Sequence, residues 1–405
     1  MIEIDRADYI TDLKNKQNNG LIKIITGVRR CGKSYLLFSL FKRYLQENVT
    51  DDKHIIALTL DDFSNRKYLD PEILYQFVTE RITDDKQYYI LLDEIQLVPQ
   101  FESLLNGFLH IRNADVYVTG SNSRFLSSDI VTEFRGRGDE IRLYPFSFAE
   151  FYSVTGGDKW EAWSQYCRYG GMPQTLGMKT VKEKEHYLKN LFHNVYLSDI
   201  INRYKLRGRQ EIDALVNVLA SSVGSLANPK RISDTFASQN GLTVTQPTVA
   251  RYIEYLEDSF LINKAMRYDI KGRKYIGTPV KYYFVDVGLR NARLNFRQQE
   301  ETHLMENIIY NELLRRGFSV DIGIVGKWEV DFVANMGSSR YYIQSAYSLQ
   351  SHEKLEQEKR SLTNISDSFK KIIITRGPLE PWHDDDGILH LSLIDFLLQP
   401  ESIDL

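Results

Sequence analysis

The sequence predicts an α/β protein of several domains, led by a parallel sheet that carries a phosphate-binding loop at the carboxyl ends of its strands. Three observations lead there. Gly27-Val28-Arg29-Arg30-Cys31-Gly32-Lys33-Ser34 fits G-x-x-x-x-G-K-[ST], between a strand-like run (Leu21 to Thr26) and helical apolar spacing at Leu36, Leu37, Leu40, Phe41 and Leu45. Tyr88 to Leu92 is an apolar run ending in Asp93-Glu94, the pattern of a buried parallel strand delivering acids to its carboxyl end. Between and after these motifs, strand-like and helix-like runs alternate.

The loop's chemistry follows from its residue types. Gly27 and Gly32 let backbone N–H groups wrap phosphates, with Arg29, Arg30, Cys31 and Tyr35 as further candidate contacts. Lys33 reaches the β/γ-phosphate oxygens, and the Ser34 hydroxyl is a candidate Mg²⁺ ligand. Asp93 is the second candidate for the Mg²⁺ shell, and Glu94 the group that activates the attacking water. ATP with Mg²⁺ is therefore the expected ligand, and hydrolysis the expected reaction.

Composition narrows the class. Of 405 residues, 42% are hydrophobic and 26% charged, the balance of a globular protein large enough for several cores. A formal net charge of −3 makes any nucleic-acid surface a local feature. The two cysteines, Cys31 and Cys167, are too few for a zinc site and predict a reducing compartment. No apolar stretch approaches membrane-spanning length and the first residues lack a secretory pattern, so a cytoplasmic protein without membrane contact is expected.

Taken in order, residues 5–16 predict a short amphipathic helix, His54 to Leu60 a second strand ending at Asp61-Asp62, and Pro71 to Ile82 a helix with proline in its first turn. Phe101 to Ile111 predicts a further helix and Asp115 to Thr119 a fourth strand. That strand runs into Gly120-Ser121-Asn122-Ser123, where Ser121 and Asn122 are either γ-phosphate sensors or helix caps. Phe134-Arg135-Gly136-Arg137-Gly138 precedes a fifth strand, Glu140 to Leu143. Arg135 or Arg137 is the candidate for transition-state charge, in this chain or across a homo-oligomer interface.

These motifs, with Pro145-Phe146-Ser147-Phe148-x-Glu150-Phe151 and Tyr169-Gly170-Gly171-Met172-Pro173, resemble a family of prokaryotic AAA-type P-loop ATPases that join the phosphate-loop domain to a C-terminal domain of unknown function. A strand at 54–60 between the two motifs, with a glutamate beside the acidic strand end, looks like the additional-strand, catalytic-glutamate division of those enzymes. The resemblance implies an ATPase core over 1–150, a helical lid over 151–208, a winged-helix-like region over 209–290 and a nuclease-like fold over 291–405.

Residues 146–205 support the lid independently, with helical runs at Phe148 to Tyr152, Trp160 to Tyr169 and Val181 to Tyr204. In 211–290, helices at Glu211 to Leu226 and Arg231 to Gln239 precede Thr245-Gln246-Pro247, a cap and first turn suited to a recognition helix. Two strands then flank an expected wing, Asp269 to Pro279, carrying Lys271, Arg273 and Lys274. Residues 200–290 hold 14 Lys/Arg against 8 Asp/Glu, a surplus that suits DNA or else marks the solvated face of a protein-binding scaffold.

The last third reads helix–strand–strand–strand–helix–strand from His303, an order that resembles the restriction-endonuclease-like core. Carried over by position, Glu306, Glu329 and Asp331 match acidic metal sites. The third strand departs from acid-x-Lys: it reads Gln344-Ser345-Ala346, so a noncatalytic domain is expected. His383-Asp384-Asp385-Asp386 beside Gly387 reads as a solvated turn.

Overall fold

A computed structural model describes residues 3–120, 136–206, 208–237, 244–297, 300–347 and 352–405. The chain divides into two compact units, Met1–Pro145 with Asp258–Phe260, and Phe146–Glu257 with Leu261–Leu405.

In the first unit five strands, β1 (Ile22–Thr26), β2 (Ile55–Thr59), β3 (Tyr88–Asp93), β4 (Ala114–Thr119) and β5 (Gly138–Arg142), form one parallel sheet in the order β2-β3-β4-β1-β5. Their apolar runs are buried because helices cover a parallel sheet. The helices Pro71–Thr79 and Phe101–Leu109 bury Leu74, Val78, Leu104, Leu105 and Phe108 against Ile56, Ile90, Leu92, Val116 and Val118. Lys23, inside β1, is charge-compensated by Asp115, which also accepts from the Tyr117 hydroxyl at 2.8 Å.

The strand order in space differs from the order in the chain. The strand between the two motifs in sequence, β2, lies at the sheet's edge; in space it is β4 that separates β1 from β3. That arrangement brings the end of β4 beside the acids that end β3.

The second unit begins with helices, Phe148–Thr155, Lys159–Tyr169 and Val181–Asn190, continuing helically through Leu191–Leu197 and Ser198–Arg203. The first and third start in capping boxes, Ser147 with Glu150 and Thr180 with Glu183, which satisfy otherwise orphaned N–H groups. The Tyr169-Gly170-Gly171 stretch owes its glycines to packing. A Cβ on Gly171 would stand 2.1 Å from the Phe146 oxygen, and the Gly171 N–H donates to Asp286 Oδ2 at 2.7 Å. Burial pushes the Asp286 carboxyl up to about 6, against N–H donors from Gly171, Leu289 and Gly288.

Helices Arg209–Ser221, Pro229–Thr235 and Gln246–Asp258 follow, together with β6 (Leu226–Ala227), β7 (Ile262–Asp269) and β8 (Lys274–Phe284). Then come helix Val287–Arg293, helix Glu301–Arg315, β9 (Ser319–Val325), β10 (Trp328–Met336), β11 (Ser339–Ala346), helix His352–Thr363, β12 (Lys370–Thr375), β13 (Trp382–His383) and β14 (Leu389–Ser392). All nine strands form one sheet, β13-β14-β12-β11-β10-β9-β7-β8-β6. Two points differ from the sequence reading. Most of the expected wing, 274–279, is strand, leaving a tight turn at 270–273. The parallel pairing of β7 with β9, Tyr268 opposite Gly323, carries the sheet across the boundary expected at 290. Pairing hides the strand edge that a separate hairpin would expose.

Candidate functional site

Gly27 adopts φ +138°, and a Cβ there would stand 2.2 Å from the Leu143 oxygen, so this turn admits glycine alone. The chain then passes through Arg30 at φ +65° and Gly32 at φ +106° into a helical run starting at Lys33. The buried Lys33 ammonium folds back on the loop, donating to Gly27 O at 2.9 Å and Val28 O at 3.2 Å. Arg6 braces the same loop from outside the motif: its guanidinium donates to Cys31 O at 3.2 Å and Tyr144 O at 2.6 Å.

Asp93 ends β3 fully buried. The Thr119 hydroxyl, at the end of the neighbouring β4, donates to Asp93 Oδ1 and accepts the Glu94 N–H at 3.0 Å. Ser34 contributes a second hydroxyl to Asp93. Burial pushes the Asp93 carboxyl up against these hydrogen bonds, and Glu94 and Asp61 push it the same way. Among the described residues no cation pairs with Asp93. A buried carboxylate with a hydroxyl beside it and acids as its charged neighbours fits a hard divalent cation, which needs few protein ligands when phosphates supply the rest. Glu94 stands at φ +52°, and its carboxylate accepts from the Gln96 amide.

Lys33, Ser34, Asp93 and Glu94 are thus gathered at the carboxyl end of one sheet. Arg29 is half-buried and Arg30 and Ser34 are exposed at the loop's surface. Cys31 offers only its backbone, because its buried thiol points to Leu143 O at 3.6 Å and burial pushes its pKa up. A buried, protonated thiol of this kind is a poor target for alkylation. Tyr35 is half-buried, its hydroxyl without a hydrogen-bond partner among the described residues. Arg137 is not brought to the loop. It precedes β5, its carbonyl accepts the Ile22 N–H at 2.8 Å, and its guanidinium reaches Asn106 at 3.4 Å. That is the amino end of β1, about 16 Å along the strand from Gly27 at about 3.3 Å per residue. Ser121, Asn122 and Arg135 lie outside the described residues.

Sequence reasoning missed Thr119, Arg6 and Gln96. For Thr119 a signal existed, a hydroxyl closing a parallel strand next to the acidic one; Arg6 and Gln96 carry none.

The acids of the second unit meet a cation the sequence did not point to. Lys281, on β8, places its buried ammonium 2.8 Å from Glu306, 2.7 Å from Glu329 and 3.9 Å from Asp331. Burial opposes its charge, but the three carboxylates outweigh this and keep it protonated. Burial and Glu306 push the Asp331 carboxyl well up, against Lys281 and the Ser345 N–H. Among the described residues no cluster of three or more His, Cys, Asp or Glu side chains is arranged to hold a metal ion. Asp384 sits in a satisfied turn, bound by Lys359 at 3.0 Å, His390 at 2.9 Å and the N–H groups of Asp386 and Ile388. Lys271, Arg273 and Lys274 are exposed at the β7–β8 turn. No described helix is long and apolar enough to cross a membrane.

Comparison with known proteins agrees with the loop geometry. Residues 19–152 match the family described as AAA domain, and residues 161–300 a domain of unknown function. An uncharacterised protein of Haemophilus influenzae is 34% identical over 402 residues, covering 98% of this chain and 99% of its own. Uncharacterised protein MJ1544 of Methanocaldococcus jannaschii is 25% identical over 376 residues, covering 88% and 81%. Among solved structures, Aeropyrum pernix Orc1 in complex with DNA covers 72% of this chain and 92% of its own at 14% identity and TM-score 0.28. AMPPCP-bound DnaA from Aquifex aeolicus covers 64% and 89% at 16% identity and TM-score 0.29. With a relative this similar along nearly its whole length, the chain belongs to the protein family of the Haemophilus influenzae relative, in which an AAA domain precedes a domain of unknown function.

Proposed function

We propose that this chain binds ATP with Mg²⁺ and hydrolyses it. The observation that carries the reading is the buried Asp93 carboxylate held by the Thr119 hydroxyl, with Ser34 of the phosphate loop beside it and Glu94 next in the chain. Lys33 holds positive charge at the phosphates, and Ser34 and Asp93 hold the metal, which when bound supplies charge at the β/γ-phosphate oxygens. Thr119 fixes the Asp93 carboxylate and the Glu94 backbone together, and Glu94 takes the proton of the attacking water once Gln96 releases its carboxylate. Lys33→Ala is expected to abolish nucleotide binding or turnover, while Glu94→Gln leaves binding intact and lowers turnover by roughly 10² to 10⁴. Wild-type turnover in Glu94→Gln, measured by phosphate release, would remove Glu94 from this role.

The exposed basic β7–β8 turn favours a DNA-associated ATPase over an ATP-gated protein scaffold. Lys281 within the acidic cluster supports a restriction-endonuclease-like domain that holds DNA or protein without cleaving. Salt-sensitive DNA binding and an ATPase rate that responds to DNA separate the two readings.

A further inference from the structure

We propose that the concavity between the helices Lys159–Tyr169 and Val181–Asn190 binds a small oxyanion-bearing ligand, a phosphate ester or a polycarboxylate, through Arg168, Lys184 and Lys179. The cavity encloses ≈ 490 Å³, within the range of about 300–1,000 Å³ that small-molecule sites occupy. It uses none of the phosphate-loop residues and does not depend on the ATPase reading.

Its charge is unfinished. Arg168 spends Nη2 on Glu185 at 2.7 Å, but its Nε is buried and, among the described residues, has no hydrogen-bond partner. Nε is closed to solvent; it is the exposed remainder of the Arg168 side chain, 39% accessible, that lines the concavity. The Lys184 ammonium stands 5.0 Å above the Tyr169 ring and, among the described residues, pairs with no carboxylate. Burial shifts it downward, and among the described residues no anion offsets that desolvation. Lys179 adds an exposed cation at the rim.

Of the neighbouring acids, Glu185 is taken by Arg168, and none among the described residues pairs with Lys184 or Lys179. Glu183 is committed to the N–H groups of Thr180 at 3.0 Å and Lys179 at 3.2 Å. Glu161 lines the same cavity but lies two helical turns from Arg168, about 10 Å at about 1.5 Å per residue. The site is therefore cationic at one end and acidic at the other, with Ser164 and Gln165 between them. An oxyanion belongs at the Arg168–Lys184 end.

The test is competitive amine acetylation of the full chain near neutral pH, with peptide mapping, probing inorganic pyrophosphate and tricarballylate against sodium chloride of equal ionic strength. Lys182, exposed on the same helix, is the internal reference. One probe class is expected to slow Lys184 labelling about fivefold or more relative to Lys182, and the class that protects identifies the source. Lys33→Ala, which disables the phosphate loop, is expected to leave this protection unchanged. Arg168→Met is expected to weaken it about tenfold; because that change also loses the Glu185 bond, exposed Lys179→Gln provides the milder variant, with a smaller loss in the same direction. Equal slowing at Lys184 and Lys182, or protection by neither probe, overturns the proposal.

Discussion

Replacing Lys281 with methionine keeps most of the side chain's volume and removes the one cation that the acids of the second unit share. The ammonium lies within 3 Å of both Glu306 and Glu329, with side-chain exposures of 10% and 32%. Glu329 can turn to water, but Glu306 is left with the Tyr283 hydroxyl at 2.6 Å and, among the described residues, only the His303 ring at 4.0 Å, a counter-charge when that ring is protonated. Breaking a buried pair from one side costs about 3–5 kcal/mol, a drop of roughly 10² to 10⁴ in the folded-to-unfolded ratio. Acid removes carboxylate charge, so the deficit shrinks in acid and is full at alkaline pH, where the acids are ionised. Urea unfolding of wild type, Lys281→Met and Lys281→Met/Glu306→Gln at acid and alkaline pH reads this directly. The double variant, with no buried charge left at 306, should recover most of the loss. A single variant within about 1 kcal/mol of wild type at alkaline pH, or a double variant no better than the single, refutes the reasoning.

Three further outcomes are expected. Thr119→Val removes the hydroxyl shared by Asp93 and the Glu94 N–H, and should lower ATP turnover about tenfold or more while nucleotide affinity changes by less than about threefold; steady-state kinetics beside a binding titration checks the split. Neutralising Lys271, Arg273 and Lys274 together should reduce the slope of log K for DNA against log salt by up to about 3, and titrations giving an unchanged slope would make the turn an ordinary surface. Asp286, raised from 3.8 to about 6, gives stability that is full below pH 3.8 and lost as pH rises through 6, about 3 kcal/mol across that window at about 1.36 per unit. Asp286→Asn should flatten this part of the stability-versus-pH profile measured by urea midpoints, and an unaltered profile would count against the assignment.

The phosphate loop, the acidic strand end and nearly every helix and strand were legible in the sequence because their causes are local. Gly27, Lys33 and Ser34 are read from fixed spacing, and Asp93-Glu94 from an apolar run with charge at its end. What only the tertiary structure decided is which distant residues share a space. Strand order placed β4, not β2, between the two motifs, and so made Thr119 the partner of Asp93 while leaving Arg137 at the far end of β1. Packing between segments more than a hundred residues apart explains Gly171 and Asp286, neither of which shows why it is there in its own neighbourhood. The same holds for Lys281: one lysine in a strand pattern has no mark in the sequence, yet the sheet turns it into the counter-charge of three carboxylates. Local propensity and short-range hydrogen bonds act within a few residues and can be read one segment at a time. Desolvation and charge compensation depend on everything that folds against a group, and these two decided what the acids and cations of this protein do.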